Sequence, residues 1–264
     1  MATPALRYLR VLLHGKPTYV AAGADGPARV LGAAPWLGGT PTGQTLSASE
    51  LAAAPPLCPV EPTKILGIGR NYKKHAEELK NELPEEPLMF FKPPSSLLDP
   101  GGVVLLPPES TRVDYEGELV VVIGRRARRI PASEAWQAIF GYSIACDVTA
   151  RDLQTKDKQW ARAKGFDTFC PIGPSVVPLG ALEKGLRLEL AVNGQTRQDA
   201  PTSDMIFDIP TLIAHASNAF TLEPGDVILT GTPEGVGPLS AGDAVSVRIE
   251  SLGELTFRVA TEKR

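Results

Sequence analysis

Cysteines, aromatic residues and long hydrophobic runs are all scarce in this sequence. Its 264 residues contain 6% aromatic residues and three cysteines, Cys58, Cys146 and Cys170. An odd number of widely spaced cysteines without a CxxC pair argues against a disulfide framework and a zinc site, so we expect reduced core thiols. No apolar run approaches the ~18 residues that span a bilayer, and the start of the chain lacks an apolar stretch long enough for a signal peptide. The sequence therefore predicts no membrane partner and a cytoplasmic location.

A large excess of charge of either sign is also absent. The formal net charge is −3, from 27 basic and 30 acidic residues. This balance produces no extended positive field that would attract nucleic acid, so we expect no nucleic-acid partner. Hydrophobic residues make up 43% of the chain, as in globular proteins, and 25 glycines and 25 prolines indicate many turns between short elements. The composition favours a β-rich fold.

Strand and turn signals divide the chain near residue 60. We predict a small N-terminal β module over residues 1–60 and a larger domain over residues 61–264. Strand signals outnumber helix signals and do not alternate with them regularly, which predicts an α+β, mainly β fold rather than a doubly wound parallel sheet. The predicted strands cover residues 6–13, 18–21, 103–106, 118–123, 140–146, 186–192, 227–230 and 244–249.

Three helices have recognisable starting residues. Asn71 is placed to cap a helix that runs to about residue 80. Thr149, with an aspartate three positions later, resembles a capping box for a helix to about residue 160. Asp208, with a proline two positions later, fits the N-cap of a helix to about residue 219.

Two glutamates precede an apolar run in the segment DYEGELVVVIG, residues 114–124. On a strand, Glu116 and Glu118 project from the same face as the valines two and four positions further on. The opposite face is apolar too, so we expect a strand buried on both sides, where neighbouring like charges are costly unless a cation compensates them. A divalent metal would resolve this conflict. Alternatively, the glutamates lie at a solvated strand end and pair with Arg112 or Arg151.

Asp147 supplies a third carboxylate. It follows a predicted strand and precedes a helix, a position where site residues are common. Three carboxylates without an accompanying Cys or His select a hard cation, Mg²⁺ or Mn²⁺ first and Ca²⁺ second. The sequence therefore predicts a metal site at Glu116, Glu118 and Asp147.

His75 and Glu78 form a candidate general base. They are three positions apart on a predicted helix and share one face, where the carboxylate can orient the imidazole and raise its basicity. The alternative is a solvated face, because lysines and glutamates surround the pair.

Further candidates are less specific. Gln154 is either a hydrogen-bond donor to substrate or an exposed helix residue, and Arg151 is either a substrate contact or a structural partner for Glu118. Lys164, judged from its neighbours alone, is a surface lysine. Thr232 lies in a glycine-rich turn that is not a phosphate loop, because no Gly-Lys-Ser/Thr follows it.

Five motifs in the expected order make the chain resemble the fumarylacetoacetate hydrolase family over roughly residues 61–260. They are RNYKKHAEE (70–78), DYEGEL (114–119), GYSIACDVTARDLQ (141–154), KGFDT (164–168) and LTGTPEGVG (229–237). The resemblance implies a mixed β-sandwich roll, assembled as a homodimer. It also implies that Glu116, Glu118 and Asp147 hold Mg²⁺ or Mn²⁺.

The same resemblance implies roles for other residues. In hydrolytic members of the family, a pair matching His75 and Glu78 lies on a mobile lid and activates water. Lys164 matches a lysine beside the metal and the substrate oxygen, where a cation stabilises a developing enolate. Thr232 matches a threonine that holds a substrate carboxylate.

Together these residues predict a divalent-metal enzyme for 2-oxo acids or their 2-hydroxy-enol forms. The metal would stabilise an enolate, and His75 with Glu78 would move a proton or activate water. The family resemblance favours a 2-hydroxyhepta-2,4-diene-1,7-dioate isomerase or decarboxylase in aromatic-acid breakdown. Alternatives are a C–C hydrolase of acylpyruvates such as fumarylpyruvate, an oxaloacetate decarboxylase, and a non-catalytic protein that binds a metal or a small acid.

Overall fold

The computed structural model describes residues 6–24, 26–78, 82–181 and 185–263. The first strands are β1 (Leu6–Leu13), β2 (Lys16–Gly23), β3 (Ala28–Leu31), β4 (Pro41–Leu46), β5 (Pro56–Leu57), β6 (Ile65–Gly69), β7 (Leu88–Lys92), β8 (Leu97–Leu98), β9 (Val103–Leu106) and β10 (Val113–Tyr115). The later strands are β11 (Gly117–Ile123), β12 (Ile139–Cys146), β13 (Thr149–Ala150), β14 (Cys170–Pro178), β15 (Arg187–Val192), β16 (Gln195–Pro201), β17 (Val227–Leu229), β18 (Gly237–Pro238), β19 (Ala244–Ile249) and β20 (Gly253–Thr261).

The helices are short and fewer than the strands. The α-helices are α1 (Ala48–Ala53), α2 (Lys73–Glu78), α3 (Arg151–Asp157), α4 (Ala161–Gly165) and α5 (Ile209–Ala219). Single 3₁₀ segments cover Pro35–Leu37, Pro94–Ser96, Ala132–Ala138, Leu179–Ala181 and Thr202–Asp204. None of the helices in the described ranges is long and apolar enough to cross a membrane.

The strands of the described residues form three sheets. The largest has the order β4-β3-β2-β1-β14-β12-β11-β17-β6-β7, with β5 added beside β1 and β8 beside β14. A second sheet has the order β16-β15-β19-β20-β9, and a small third one β13-β10-β18. Most pairs are antiparallel, but β6 with β17, β8 with β14 and β9 with β20 run parallel. The predicted α+β, mainly β fold of the mixed roll type is confirmed.

The central strand β11 is buried on both faces, as its two-sided apolar pattern predicts. Leu119 and Val121 belong to the main core cluster, which also contains Leu190 and other side chains of the second sheet. Val120 belongs to a separate cluster on the opposite face, together with Cys170. Glu118, the charged residue near the start of this strand, is therefore buried as well.

The predicted helix starts have mixed outcomes. Asp208 is the N-cap of α5 and accepts a 3.0 Å hydrogen bond from the Thr211 backbone N–H, as predicted. The prediction for Thr149 is wrong, because this residue lies in β13 and its hydroxyl donates to the Asp147 carbonyl. Asp152, the other half of the expected capping box, instead accepts hydrogen bonds from Ser110 and Thr111. The expected single helix is also interrupted, since α3 ends at Asp157 and α4 begins at Ala161.

Asn71 does not act as a helix cap. Its side-chain amide donates to the carbonyls of Thr230 and Phe207 and accepts from the Phe207 N–H, at 2.8, 3.1 and 2.8 Å. The predicted end of this helix, near residue 80, lies outside the described residues.

The N-terminal strands belong to the largest sheet rather than to a sheet of their own. Tyr8 in β1 pairs with Val176 in β14, so the two predicted modules share one sheet. The division of the chain at residue 60 stays a prediction.

Candidate metal centre and adjoining cavity

The register of β11 and β12 brings the predicted carboxylates together. Gly117, the first residue of β11, pairs with Cys146, the last residue of β12. Glu116, just before β11, therefore lies beside Asp147, just after β12. The Asp147 N–H accordingly donates a 2.7 Å hydrogen bond to the Glu116 carbonyl. Glu118 follows one residue into β11. One oxygen from each of the three carboxylates lies within 4.8 Å of the other two.

Two buried lysines and one arginine surround this cluster. Lys164 Nζ lies 2.8 Å from Glu116 Oε2 and 2.6 Å from Asp147 Oδ2. Lys92 Nζ lies 2.7 Å from Asp147 Oδ1, on the other oxygen of that carboxylate. Arg151 pairs with Glu116 Oε1. Glu116 therefore has an arginine partner, which the sequence offered as the alternative to a metal.

Glu118 differs from its neighbours because it has no cationic partner within the described residues. It is 1% exposed, and its Oε2 accepts a 2.6 Å hydrogen bond from the Gly231 N–H. Burial, together with the nearby Asp147 and Glu116, raises the pKa of Glu118 well above its ordinary value. A buried carboxylate of this kind is stabilised by a proton or by a bound cation.

The other charges of the cluster are compensated within it. Although burial opposes ionisation, Lys164 and Arg151 hold the pKa of Glu116 well below its ordinary value. Burial also opposes the charge on Lys164, but Asp147 and Glu116 raise its pKa, so the side chain is an ammonium ion at neutral pH. The uncompensated carboxylate and the all-oxygen donor set together fit a hard divalent cation at Glu116, Glu118 and Asp147.

A cavity of about 410 Å³ adjoins the carboxylates. Trp160 forms part of its wall and packs edge to face on Phe90, with ring centroids 5.3 Å apart. A Cβ at Gly69 would lie 2.8 Å from the Trp160 ring, so a larger residue there would displace the ring from its place in the wall. The charged and polar side chains that line the cavity are Arg70, His75, Glu116, Glu118, Arg151, Gln154, Thr155, Lys164 and Thr232.

His75 is buried rather than part of a solvated helix face. It is 4% exposed, and its Nδ1 lies 3.5 Å from Glu78 Oε2, a contact too long and too poorly aligned for a good hydrogen bond. Burial lowers the pKa of His75, against the opposing effects of Glu116 and Glu78, so the imidazole is neutral near pH 7 and able to accept a proton. Both oxygens of Glu78 also lie 3.2 Å from the Gly235 N–H, which fixes the carboxylate beside the imidazole.

The predicted substrate contacts all line the cavity, but each already has protein partners. Arg151 donates to Asp114, Glu116 and Gln154, not to Glu118 as the structural alternative proposed. Gln154 is half-buried, so the alternative of an exposed helix residue is wrong. The Thr232 hydroxyl donates to the Gly117 carbonyl at 2.9 Å. Lys164, expected on the surface from its neighbours, is 2% exposed.

Two further residues that support the site were not found from the sequence. Lys92 ends the apolar strand β7 and is 1% exposed, so a lone charge closing an apolar run was the available signal. Gln198 lies in the polar strand β16, and no sequence pattern distinguishes it from the other polar residues of that strand. Its Oε1 accepts from the Gly117 N–H at 2.9 Å and its Nε2 donates to Thr232 Oγ1 at 2.8 Å, which joins the glycine between the two glutamates to the turn that carries Thr232.

Comparison with known proteins identifies the family of this chain. Residues 64–260 match the model of the fumarylacetoacetate hydrolase C-terminal domain. The mitochondrial oxaloacetate tautomerase FAHD1 of Arabidopsis thaliana is 48% identical over 203 residues, which cover 75% of this chain and 91% of that protein.

Two solved structures extend the comparison to the fold. The 2-hydroxyhepta-2,4-diene-1,7-dioate isomerase of Mycobacterium marinum is 36% identical, with a TM-score of 0.88 over 98% of this chain and 100% of that one. The fumarylpyruvate hydrolase of Pseudomonas aeruginosa, in complex with Mn²⁺ and pyruvate, is 33% identical, with a TM-score of 0.71 over 78% of this chain and 91% of that one. The matched domain, the relatives and the shared fold together establish that this chain belongs to the fumarylacetoacetate hydrolase family, whose members are enzymes.

Proposed function

We propose that the chain is a divalent-metal-dependent isomerase of 2-oxo acids and their 2-hydroxy-enol forms, with 2-hydroxyhepta-2,4-diene-1,7-dioate as the substrate to test first. The observation that carries the proposal is a buried, neutral His75 in the same cavity as Glu116 and Glu118. Proton transfer at a carbon next to a carbonyl requires a proton acceptor close to a group that stabilises negative charge. His75 would be the acceptor, and the candidate metal site lies in the same cavity.

Glu116, Glu118 and Asp147 would hold the metal, for which Mg²⁺ and Mn²⁺ are the first candidates and Ca²⁺ the next. When bound, a divalent cation supplies positive charge that lowers the free energy of a developing enolate. The relative solved with Mn²⁺ and pyruvate supports both the class of metal and the class of ligand.

The chain's own groups would perform the proton transfer. His75 would take a proton from the substrate carbon and return it at another position, since it faces the cavity and lacks a good hydrogen-bond partner. Glu78, beside Nδ1, would orient the ring and stabilise it once protonated. Lys164 would place an ammonium group near the substrate oxygen. Arg151, Gln154 and Thr232 stay candidates for orienting the substrate carboxylate.

Isomerisation is preferred over hydrolysis on two grounds. The isomerase of known structure superposes with a higher TM-score than the fumarylpyruvate hydrolase, 0.88 against 0.71. The relative named as an oxaloacetate tautomerase also points to proton transfer, since tautomerisation moves a proton and leaves the C–C bonds intact. Hydrolysis of acylpyruvates is the second candidate, because the His75 and Glu78 pair suits activation of water as well.

The assay that separates these activities is a panel of 2-oxo diacids, acylpyruvates and oxaloacetate, each supplied with Mg²⁺ or Mn²⁺ and analysed by product mass. An unchanged mass with a changed spectrum supports isomerisation. Release of carbon dioxide would identify a decarboxylase, and formation of two acids a hydrolase. No turnover of any compound, together with tight metal binding, would favour the non-catalytic alternative and refute the proposal.

Substitution of His75 by asparagine is expected to lower kcat by about 10²–10⁴-fold, the usual contribution of a positioned proton-transfer group. Metal affinity measured by calorimetry should stay within about 3-fold of the wild type, since His75 is not one of the proposed ligands. His14→Asn is the matched control, because His14 is exposed in a turn at φ 49°, a conformation that asparagine adopts readily. Full activity of His75→Asn would contradict the assigned role.

A homodimer and a cytoplasmic location also belong to the proposal, and both rest on the sequence. Size-exclusion chromatography with light scattering tests the homodimer directly. A measured mass equal to that of a single chain would refute it.

A further inference from the structure

Arg70 is the charged side chain of the cavity that the site described above leaves without a function. The other charged groups that line this cavity have polar or ionic partners: Glu116 pairs with Arg151 and Lys164, and Glu118 accepts from the Gly231 N–H. The neutral His75 lies 3.5 Å from Glu78. Within the described ranges, the Arg70 guanidinium forms no hydrogen bond or ion pair, although the residue is half-buried. An unpaired, partly desolvated guanidinium favours an anion from solution.

The sheet register locates Arg70 relative to the candidate metal ligands. Val120 in β11 pairs with Leu229 in β17, which pairs with Gly67 in β6. Since β11 runs antiparallel to β17 and β6, Glu118 and Arg70 lie at the same end of the sheet. They are two strands apart, which corresponds to roughly 10 Å between their backbones. An extended side chain at Arg70 and a metal ligand at Glu118 can therefore contact opposite ends of one short substrate.

The backbone at Arg70 is held in an uncommon conformation. Its φ is 58°, in the left-handed region that side chains other than Gly, Asn and Asp rarely adopt. Asn71 fixes the chain immediately afterwards through its three hydrogen bonds to Thr230 and Phe207. Because strained residues persist where the surroundings impose them, and such residues cluster at binding sites, this conformation supports a role in binding.

We propose that Arg70 binds the distal carboxylate of dicarboxylic substrates and so makes the enzyme selective for 2-oxo diacids over 2-oxo monoacids. This proposal rests on the proposed function, since it assigns the other end of the same substrate to the carboxylate cluster. Its planar guanidinium can form two parallel hydrogen bonds to a carboxylate, a geometry that a lysine cannot reproduce.

A second cavity offers another explanation for the position of the Arg70 side chain. Arg70 also borders a cavity of about 480 Å³ lined by Glu85 and Glu86. If the guanidinium served to bind these acidic residues, its loss would affect stability rather than the choice of substrate. The experiment therefore compares ligands that differ in a single charge.

The test uses Arg70→Gln and compares turnover of 2-hydroxyhepta-2,4-diene-1,7-dioate with that of its distal methyl ester, in the presence of Mg²⁺. We expect kcat/KM for the diacid to fall about 100-fold and that for the ester to change less than about 3-fold, because only the diacid loses a charged contact. Arg70→Lys should recover part of the loss. Arg126→Gln is the matched control, since the Arg126 side chain is 72% exposed and should leave both substrates unaffected. Equal losses for diacid and ester would overturn the proposal.

A binding measurement separates this inference from the proposed function. Heptanedioate and heptanoate are non-reacting compounds that differ in the distal carboxylate, and calorimetry gives their affinities for the wild type and for Arg70→Gln. A diacid preference of about 10-fold or more that disappears in the variant supports the role of Arg70 even if the wild type turns over neither diene substrate. Absence of any such preference in the wild type overturns it, whatever the outcome of the activity panel.

Discussion

Substitution of Glu118 by glutamine is expected to abolish metal-dependent turnover while leaving the metal-free fold at least as stable as the wild type. Glu118 is the most informative of the three carboxylates, since it forms no ion pair within the described residues. Glutamine keeps an oxygen to accept the Gly231 N–H and removes a charge whose burial is costly. By contrast, loss of Glu116 would remove a carboxylate partner of both Arg151 and Lys164. A variant at Glu116 would therefore be destabilised as well as deprived of a metal ligand, and the two effects could not be told apart.

The expected loss in kcat/KM is about 10³-fold or more. A Lewis acid supplies several kcal/mol to charge stabilisation, and each ~1.4 kcal/mol corresponds to a factor of ten in rate. Mn²⁺ affinity, measured by calorimetry, should fall more than about 100-fold. Loss of a residue that only hydrogen-bonds to a metal ligand usually has a smaller effect. The increase in Tm that Mn²⁺ gives the wild type should disappear in the variant, since ligand binding stabilises a fold only where the ligand binds.

Glu254→Gln provides the matched control for this experiment, because Glu254 is an exposed residue of β20. It should keep wild-type metal affinity and turnover. Retention of tight Mn²⁺ binding by Glu118→Gln would show that the proposed ligand set is wrong.

Substitution of Lys92 by methionine is expected to destabilise the protein by about 3–5 kcal/mol, as is usual when one partner of a buried ion pair is removed. The Lys92 ammonium group lies 2.7 Å from Asp147 Oδ1 and also donates to the carbonyls of Val148 and Lys164. Methionine fills a similar volume but leaves these acceptors without their donor. For a chain of this size, each kcal/mol corresponds to about 2–4 °C, so Tm should fall by roughly 6–20 °C.

The same substitution tests whether Lys92 positions a metal ligand. At a temperature where the variant is folded, its Mn²⁺ affinity should be reduced about 10–100-fold, because Asp147 loses the contact that fixes its orientation. Lys73→Met is the control, since Lys73 is 67% exposed and 3.9 Å from Glu77, and its effect should stay within about 0.5 kcal/mol. A variant as stable as this control would show that Lys92 is not needed to hold the cluster.

Much of the site followed from local patterns in the sequence. The spacing of Glu116 and Glu118 before a two-sided apolar run predicted two acids at the end of a buried strand, and the structure has this arrangement. Asp147 was predicted from its place after a strand, and the register of β11 with β12 brings it to the two glutamates. These predictions work because side-chain direction on a strand alternates with a fixed period of two.

Local patterns were misleading where a side chain has partners distant in sequence. Asn71 has the residue type of a helix cap, yet its side chain bonds to Thr230 and Phe207. Asp152 fits the acidic position of a capping box, yet it accepts hydrogen bonds from Ser110 and Thr111. Capping signals describe competition among nearby backbone groups, so they fail where a tertiary contact offers a better partner.

The sequence alone determined the mainly β fold, the strand with its two glutamates and the oxygen-rich donor set, because alternation and composition act over a few residues. The tertiary structure decided which cations accompany which carboxylates. Lys92 and Lys164 lie 72 positions apart and both contact Asp147, while Glu118 has no such partner among the described residues. Pairing of buried charges depends on the register of strands and helices that are far apart along the chain, and that register is set only when the sheets pack around a common core.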